Sequence, residues 1–183
     1  MATLDDPVYN GKTISQWISD LQSDDYAAIN AVNSLVKAGS LAVPQLISNL
    51  THSNTDVRKM IPLILGRMEA RTVETVQALT SSCNDSYPMV AIGARYALII
   101  ITGDLDKHLR ALCKYLEARD AVSRGAAAHA IAMIGSKALP AAKKLFEMRQ
   151  KETDTAAYQQ ASNALQRIGW NPAIGAMPDI DFY

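Results

Sequence analysis

The chain has 183 residues, 49% hydrophobic and 20% charged, which fits one ordinary domain or a short repeat array and excludes a disordered or acidic tail. Eighteen basic and eighteen acidic residues cancel, so no bulk field selects nucleic acid or membrane. The longest apolar run, Tyr96 to Ile101, is far short of the ~18 residues of a membrane span, and 28 alanines beside 6% aromatics favour closely packed helices.

Met1 to Pro7 lack the basic and apolar regions of a secretory leader. Cys83 and Cys113 sit in no CxxC or His-flanked pattern, so the expectation is two reduced thiols in a cytoplasmic protein. Residues 1–12 read as an N-terminal extension. Within it Gly11-Lys12-Thr13 echoes the end of a phosphate-binding loop, but Asp6 stands where the upstream Gly belongs. It reads as the turn before a helix. That helix, over 13–22, opens with a capping box at Thr13-Ile14-Ser15-Gln16 and sets Ile14, Trp17, Ile18 and Leu21 on one face. It has no first helix of its own before it, so it reads as an N-terminal capping helix.

From there one pattern recurs. Ala31-Val32-Asn33-Ser34-Leu35-Val36-Lys37-Ala38-Gly39 matches Ala127 to Gly135 and Ala161 to Gly169 in its small residues, aliphatics and terminal Gly. A further copy ends at Gly103, and another places Glu69 where the others have Gly. The landmarks 39, 69, 103, 135 and 169 are 30 to 34 residues apart, the mark of a helical repeat. Apolar residues three or four apart (Ile29, Val32, Leu35, Val36) predict a first helix, and the Gly ends it at φ > 0. Second apolar runs follow: Val43, Leu46, Ile47 and Leu50, then Leu139, Ala142, Leu145 and Phe146. Pro44 and Pro140 suit the first turn of these second helices, Pro62 should kink its first helix, and Asp24, Asp56, Ser86 and Asp120 offer N-cap chemistry.

A helix pair this small cannot bury both faces alone, so neighbours must stack. The predicted fold is all-α: an α-solenoid, or superhelix, of about five helix-turn-helix repeats near 24–52, 54–82, 86–118, 120–151 and 153–170, in a single domain over 13–170. The predicted core includes Val32, Leu35, Leu46, Ile61, Leu65, Ile131, Ile134 and Leu165. Residues 171–183 form a C-terminal tail.

Asp56-Val57-Arg58 followed by Ile64-Leu65-Gly66, together with Gly39-Ser40-Leu41-Ala42-Val43-Pro44-Gln45-Leu46, resembles the HEAT-like repeats also named for phycobilisome bilin lyases. The resemblance spans Thr13 to Pro172. It implies the solenoid and leaves function open among scaffolds, transport factors, lyase subunits, an iron hydroxylase and DNA glycosylases. Of these, the hydroxylase needs paired His-Glu ligands, whereas His52, His108 and His129 are the only histidines and none precedes Glu. A glycosylase needs aromatics converging on one face, but Trp17 and Trp170 lie at opposite ends. No metal or cofactor set and no catalytic residues emerge.

Charge distribution is more informative. Arg58 and Arg124 sit early in equivalent first helices near Asp56 and Asp120, a pattern read as an interrepeat ion-pair ladder. Between Lys107 and Lys151 ten basic residues face three acidic ones. Arg110, Lys114, Lys143 and Lys144 fall on consecutive second helices, which line the concave surface in this architecture. The strip reads as a solvated face or as the dock for an acidic segment of another protein; without interleaved aromatics, nucleic acid is the weaker reading. The functional expectation is a noncatalytic adaptor, scaffold or assembly factor, with a bilin lyase-type subunit as the alternative. In the tail, Asp179, Asp181, Phe182 and Tyr183 form an acidic, aromatic end that reads either as a cap on the last repeat or as a ligand for the basic strip.

Overall fold

The computed structural model describes residues 6–23 and 26–171. Two compact units, Met1–Thr102 and Gly103–Tyr183, divide the chain. The first opens with a hairpin of β1 (Val8–Tyr9) and β2 (Lys12–Thr13), antiparallel with Tyr9 opposite Lys12. Its turn, Asn10-Gly11, takes positive φ at both residues, the backbone that Asn-Gly accommodates in a two-residue hairpin. The P-loop echo is thus a hairpin, and Lys12 is held by Asp20 at 2.7 Å and the Trp17 ring at 4.7 Å.

Helix α1 (Ile14–Asp20) starts at the expected capping box: the Gln16 N–H donates to Thr13 Oγ1, and the Thr13 N–H donates to Gln16 Oε1. The rest of the unit is α2 (Tyr26–Ala38), α3 (Val43–Ser48), α4 (Thr55–Arg67), α5 (Val73–Ser82) and α6 (Pro88–Thr102). The second unit holds α7 (Leu105–Tyr115), α8 (Ala121–Ile134), α9 (Ala142–Lys151) and α10 (Thr155–Arg167). All five landmark residues have positive φ: Gly39 at 59°, Glu69 at 49°, Gly103 at 78°, Gly135 at 73° and Gly169 at 83°. Glu69 therefore makes the same left-handed turn without the glycine that makes it cheap.

Packing explains the alanine content. In the first unit α2 packs on α4 and α4 on α6; in the second, α8 packs on α10. A Cβ added at Gly66 would lie 3.2 Å from the Cα and Cβ of Ala97, and one at Gly125 would lie 3.5 Å from the Ala157 Cα. First helices therefore approach through small residues. Each second helix packs on the first helix that follows it: α3 on α4, α5 on α6, α7 on α8 and α9 on α10. Helix α1 packs on α2 in the same way.

Several local expectations need correction. Asn54, not Asp56, caps α4, its side chain accepting from the Asp56 N–H at 2.8 Å. Asp85, rather than Ser86, accepts from the backbone ahead of α6, through the Tyr87 N–H. Asp24 lies outside the described residues. Pro44 stands in the first turn of α3, but Pro140 lies in a 3-10 helix, Gly135–Ala141, that precedes α9. Pro62 lies inside α4, the first helix in which the sequence places it. Ile134 is only half-buried, while the other predicted core residues are buried. Ile29 and Leu139 are exposed, because the helix faces they occupy turn away from the neighbours that bury Val32 and Leu145.

Two substitutions test this packing. Glu69→Gly relieves a left-handed backbone and should raise stability by about 0.5–1 kcal/mol in urea unfolding, the exposed Glu69–Arg71 pair contributing little against it. Gly66→Val should lower it by about 1–3 kcal/mol through overpacking against Ala97.

Candidate functional site

The charged side chains of the second unit fall into three groups. The first is structural. Arg124 on α8 donates through Nε and Nη2 to the Glu152 carboxylate at 2.6 and 2.7 Å, and through Nη1 to the Ala118 carbonyl at 2.9 Å. Glu152, with a side chain 1% exposed, also accepts the N–H groups of Thr153 and Asp154 ahead of α10. The first unit repeats the arrangement: Arg58 on α4 donates to Asp85 at 2.7 and 3.3 Å and to the His52 carbonyl at 2.6 Å. Each arginine thus ties its first helix to the acid just before the next first helix.

The acids proposed from sequence do something else. Asp56 pairs with Lys59 at 2.6 Å on the same helix, and Asp120 caps α8 by accepting the Ser123 N–H at 2.7 Å. An acid 27 or 28 residues beyond each arginine was the available signal. The Arg124 hydrogen bonds hold the Glu152 carboxyl down at about 2, against burial that would raise it. Burial also pulls Asp85 upward, but Arg58 and the Tyr87 N–H outweigh it and leave the carboxyl below its usual range.

The second group contains the expected strip. Helix α7 buries His108, Leu109, Leu112 and Cys113, and α9 buries Ala142, Leu145 and Met148, so their cations lie on other faces. Arg110 pairs with Asp106 at 2.8 Å. Lys144 reaches Glu117, just past the end of α7, at 2.6 Å and Glu147 at 3.8 Å. The Glu117 hydrogen bond raises the Lys144 pKa. Lys114 and Lys143 are both exposed. The Lys144–Glu117 pair links the first turn of α9 to the residue just past the end of α7. A pocket of about 390 Å³ opens here, lined among others by Glu117, Arg124, Lys144, Glu147 and Lys151. Its opposite charges compensate one another, which makes it a poor trap for a simple ion.

The third group was not foreseen. Phe146 on α9 and Trp170, after the Gly169 turn, have ring centroids 5.1 Å apart at 45°, and the Arg149 guanidinium lies 5.2 and 5.8 Å from the two rings. The i,i+3 spacing of Phe146 and Arg149 was legible, but the return of Trp170 to α9 is tertiary.

Reactive chemistry finds little support. Cys113 is buried, which pushes its thiol up to about 12 and away from nucleophilic use. His129 contacts Gln160 at 3.3 Å, and His52 Nδ1 accepts the Asn54 N–H. Among the described residues no group of His, Cys, Asp and Glu could hold a metal ion, and no helix is long and apolar enough to cross a membrane. Asp179, Asp181, Phe182 and Tyr183 lie outside the described residues.

No family model and no curated protein matches the chain. Among solved structures, a chain of the complex of CpcE and CpcF of phycocyanin lyase from Nostoc sp. PCC7120 is similar over 82% of this chain and 96% of its own, with a TM-score of 0.60 and 21% identity. The fold is an all-α solenoid of helix-turn-helix repeats. A crystal structure of an engineered protein matches at a TM-score of 0.45 and 22% identity, over 85% of this chain and 78% of its own.

The Arg124–Glu152 tie has a pH signature. Because the folded-state Glu152 pKa is depressed, its stabilisation is complete above the unfolded carboxyl range near ~4.3 and is lost as pH falls toward the folded value. Glu152→Gln should be less stable than the wild type at pH 6. The gap in urea midpoints should narrow by roughly half at about pH 3.

Proposed function

We propose that this solenoid is a noncatalytic protein-interaction module, an adaptor, scaffold or assembly factor, that grips an acidic segment of another protein on the α7 and α9 surface. The observation carrying this reading is the exposure of Lys114 on α7 and Lys143 on α9, two helices linked where Lys144 meets Glu117. Arg110 and Lys144, each beside a carboxylate, supply the polar rim of this surface. Solenoids suit such work because adjacent repeats present an extended surface without loop closure. In a reducing cytoplasm the buried Cys83 and Cys113 stay as thiols.

The second reading is a subunit of a bilin lyase-type enzyme or a chromophore-handling factor. It is favoured by the likeness to a chain of the two-protein phycocyanin lyase complex, a likeness of fold. On that reading the chain acts with a second protein, and a covalent tetrapyrrole adduct on an acceptor mixed with both chains and a bilin is the expected result.

The docking reading is tested with a fluorescein-labelled hexaglutamate peptide at low salt, followed by anisotropy. Lys114→Glu combined with Lys143→Glu should weaken binding about tenfold while circular dichroism stays unchanged. Lys144 is left in place, because reversing it beside Glu117 and Glu147 would add repulsion within the fold. Equal binding by the double variant removes this surface from the docking site.

A further inference from the structure

Lys143, Phe146 and Arg149 follow one another at three-residue intervals along a flank of α9, and Trp170 completes that flank from the end of the next repeat. Both rings of the pair are half-buried. Trp17 offers a contrast: it is 8% exposed, and its indole N–H donates to the Tyr9 carbonyl at 2.8 Å, as a ring sealed into a core should. Arg149 lies over both Phe146 and Trp170. A guanidinium stacked on rings keeps its in-plane N–H edge for a carboxylate, which it can take in a two-pronged geometry. One flank thus combines a ring surface, a guanidinium fork and a lysine.

We infer that the acidic segment docking on this surface carries an aromatic side chain, which seats on the Phe146–Trp170 pair while Arg149 and Lys143 take flanking carboxylates. This rests on the docking reading above and specifies its partner. Single-stranded nucleic acid also stacks on rings and pairs with cations. Here it is disfavoured by Glu147, one residue from Phe146, which would repel a continuous polyanion but leaves spaced carboxylates room between the cations.

The test compares two labelled peptides on the full chain, Glu-Glu-Phe-Glu-Glu and Glu-Glu-Ala-Glu-Glu. The phenylalanine peptide should bind about fivefold more tightly. Phe146→Leu, which keeps an apolar side chain, should erase that preference and leave the alanine peptide's affinity unchanged. Arg149→Gln should weaken both peptides, with thermal melts reporting the fold. Equal affinities for the two peptides overturn the inference and leave the docking reading standing. Failure of both to bind removes that reading as well. Tighter, Phe146-dependent binding of an oligothymidylate assigns the flank to nucleic acid and overturns the inference. A chain cut after Pro178 lacks Asp179, Asp181, Phe182 and Tyr183, which carry the same chemistry; if it alone binds the phenylalanine peptide tightly, the occupant is the chain's own end rather than a partner.

Discussion

Successive first helices approach one another so closely that a Cβ at Gly66 would come within 3.2 Å of the Ala97 backbone, and the rest of each unit is arranged around that constraint. Small residues on α4, α6, α8 and α10 let the backbones come near, while Leu and Ile side chains such as Leu35, Ile61, Leu98 and Ile131 fill the core beside them. The turn after each first helix must then reverse the chain in very few residues. That requirement is why all five turns are left-handed, even where the residue is Glu69.

Close apolar packing does not by itself set the register of neighbouring repeats. The arginines on α4 and α8 do so, each joining its helix to an acid ahead of the next first helix and to a carbonyl six residues back. A guanidinium and two backbone N–H groups surround the Glu152 carboxylate and hold its charge. These pairs belong to the interior logic of the array. They withdraw two of the most conspicuous cations in the sequence from any role in recognition.

The cations of the proposed docking surface lie on α7 and α9. The net charge of zero conceals this, because part of the basic excess between Lys107 and Lys151 is internally neutralised while Lys114 and Lys143 stay exposed. Arg149 occupies a third condition, engaged with ring faces instead of a carboxylate among the described residues. Three cations of similar appearance in sequence therefore have different chemistry: Arg124 as a tie, Lys114 as an exposed charge and Arg149 as a stacked fork.

The helix type, the four glycine turns and the capping box at Thr13 were legible in the sequence, because each depends on residues within one helical turn or on a period visible over the whole chain, whereas the positive φ of Glu69 was not. The same reasoning placed most of the core and found Arg58 and Arg124. It assigned them the wrong acids, since Asp56 and Asp120 are near in sequence whereas Asp85 and Glu152 are near in space. It also missed the meeting of Phe146 with Trp170 and misjudged Ile29 and Leu139. Periodicity says that a helix has an apolar face; only the neighbour's position says where that face is covered. For the same reason the sequence could count the cations of the second unit, but tertiary structure decided which ones face a carboxylate, a ring or open solvent.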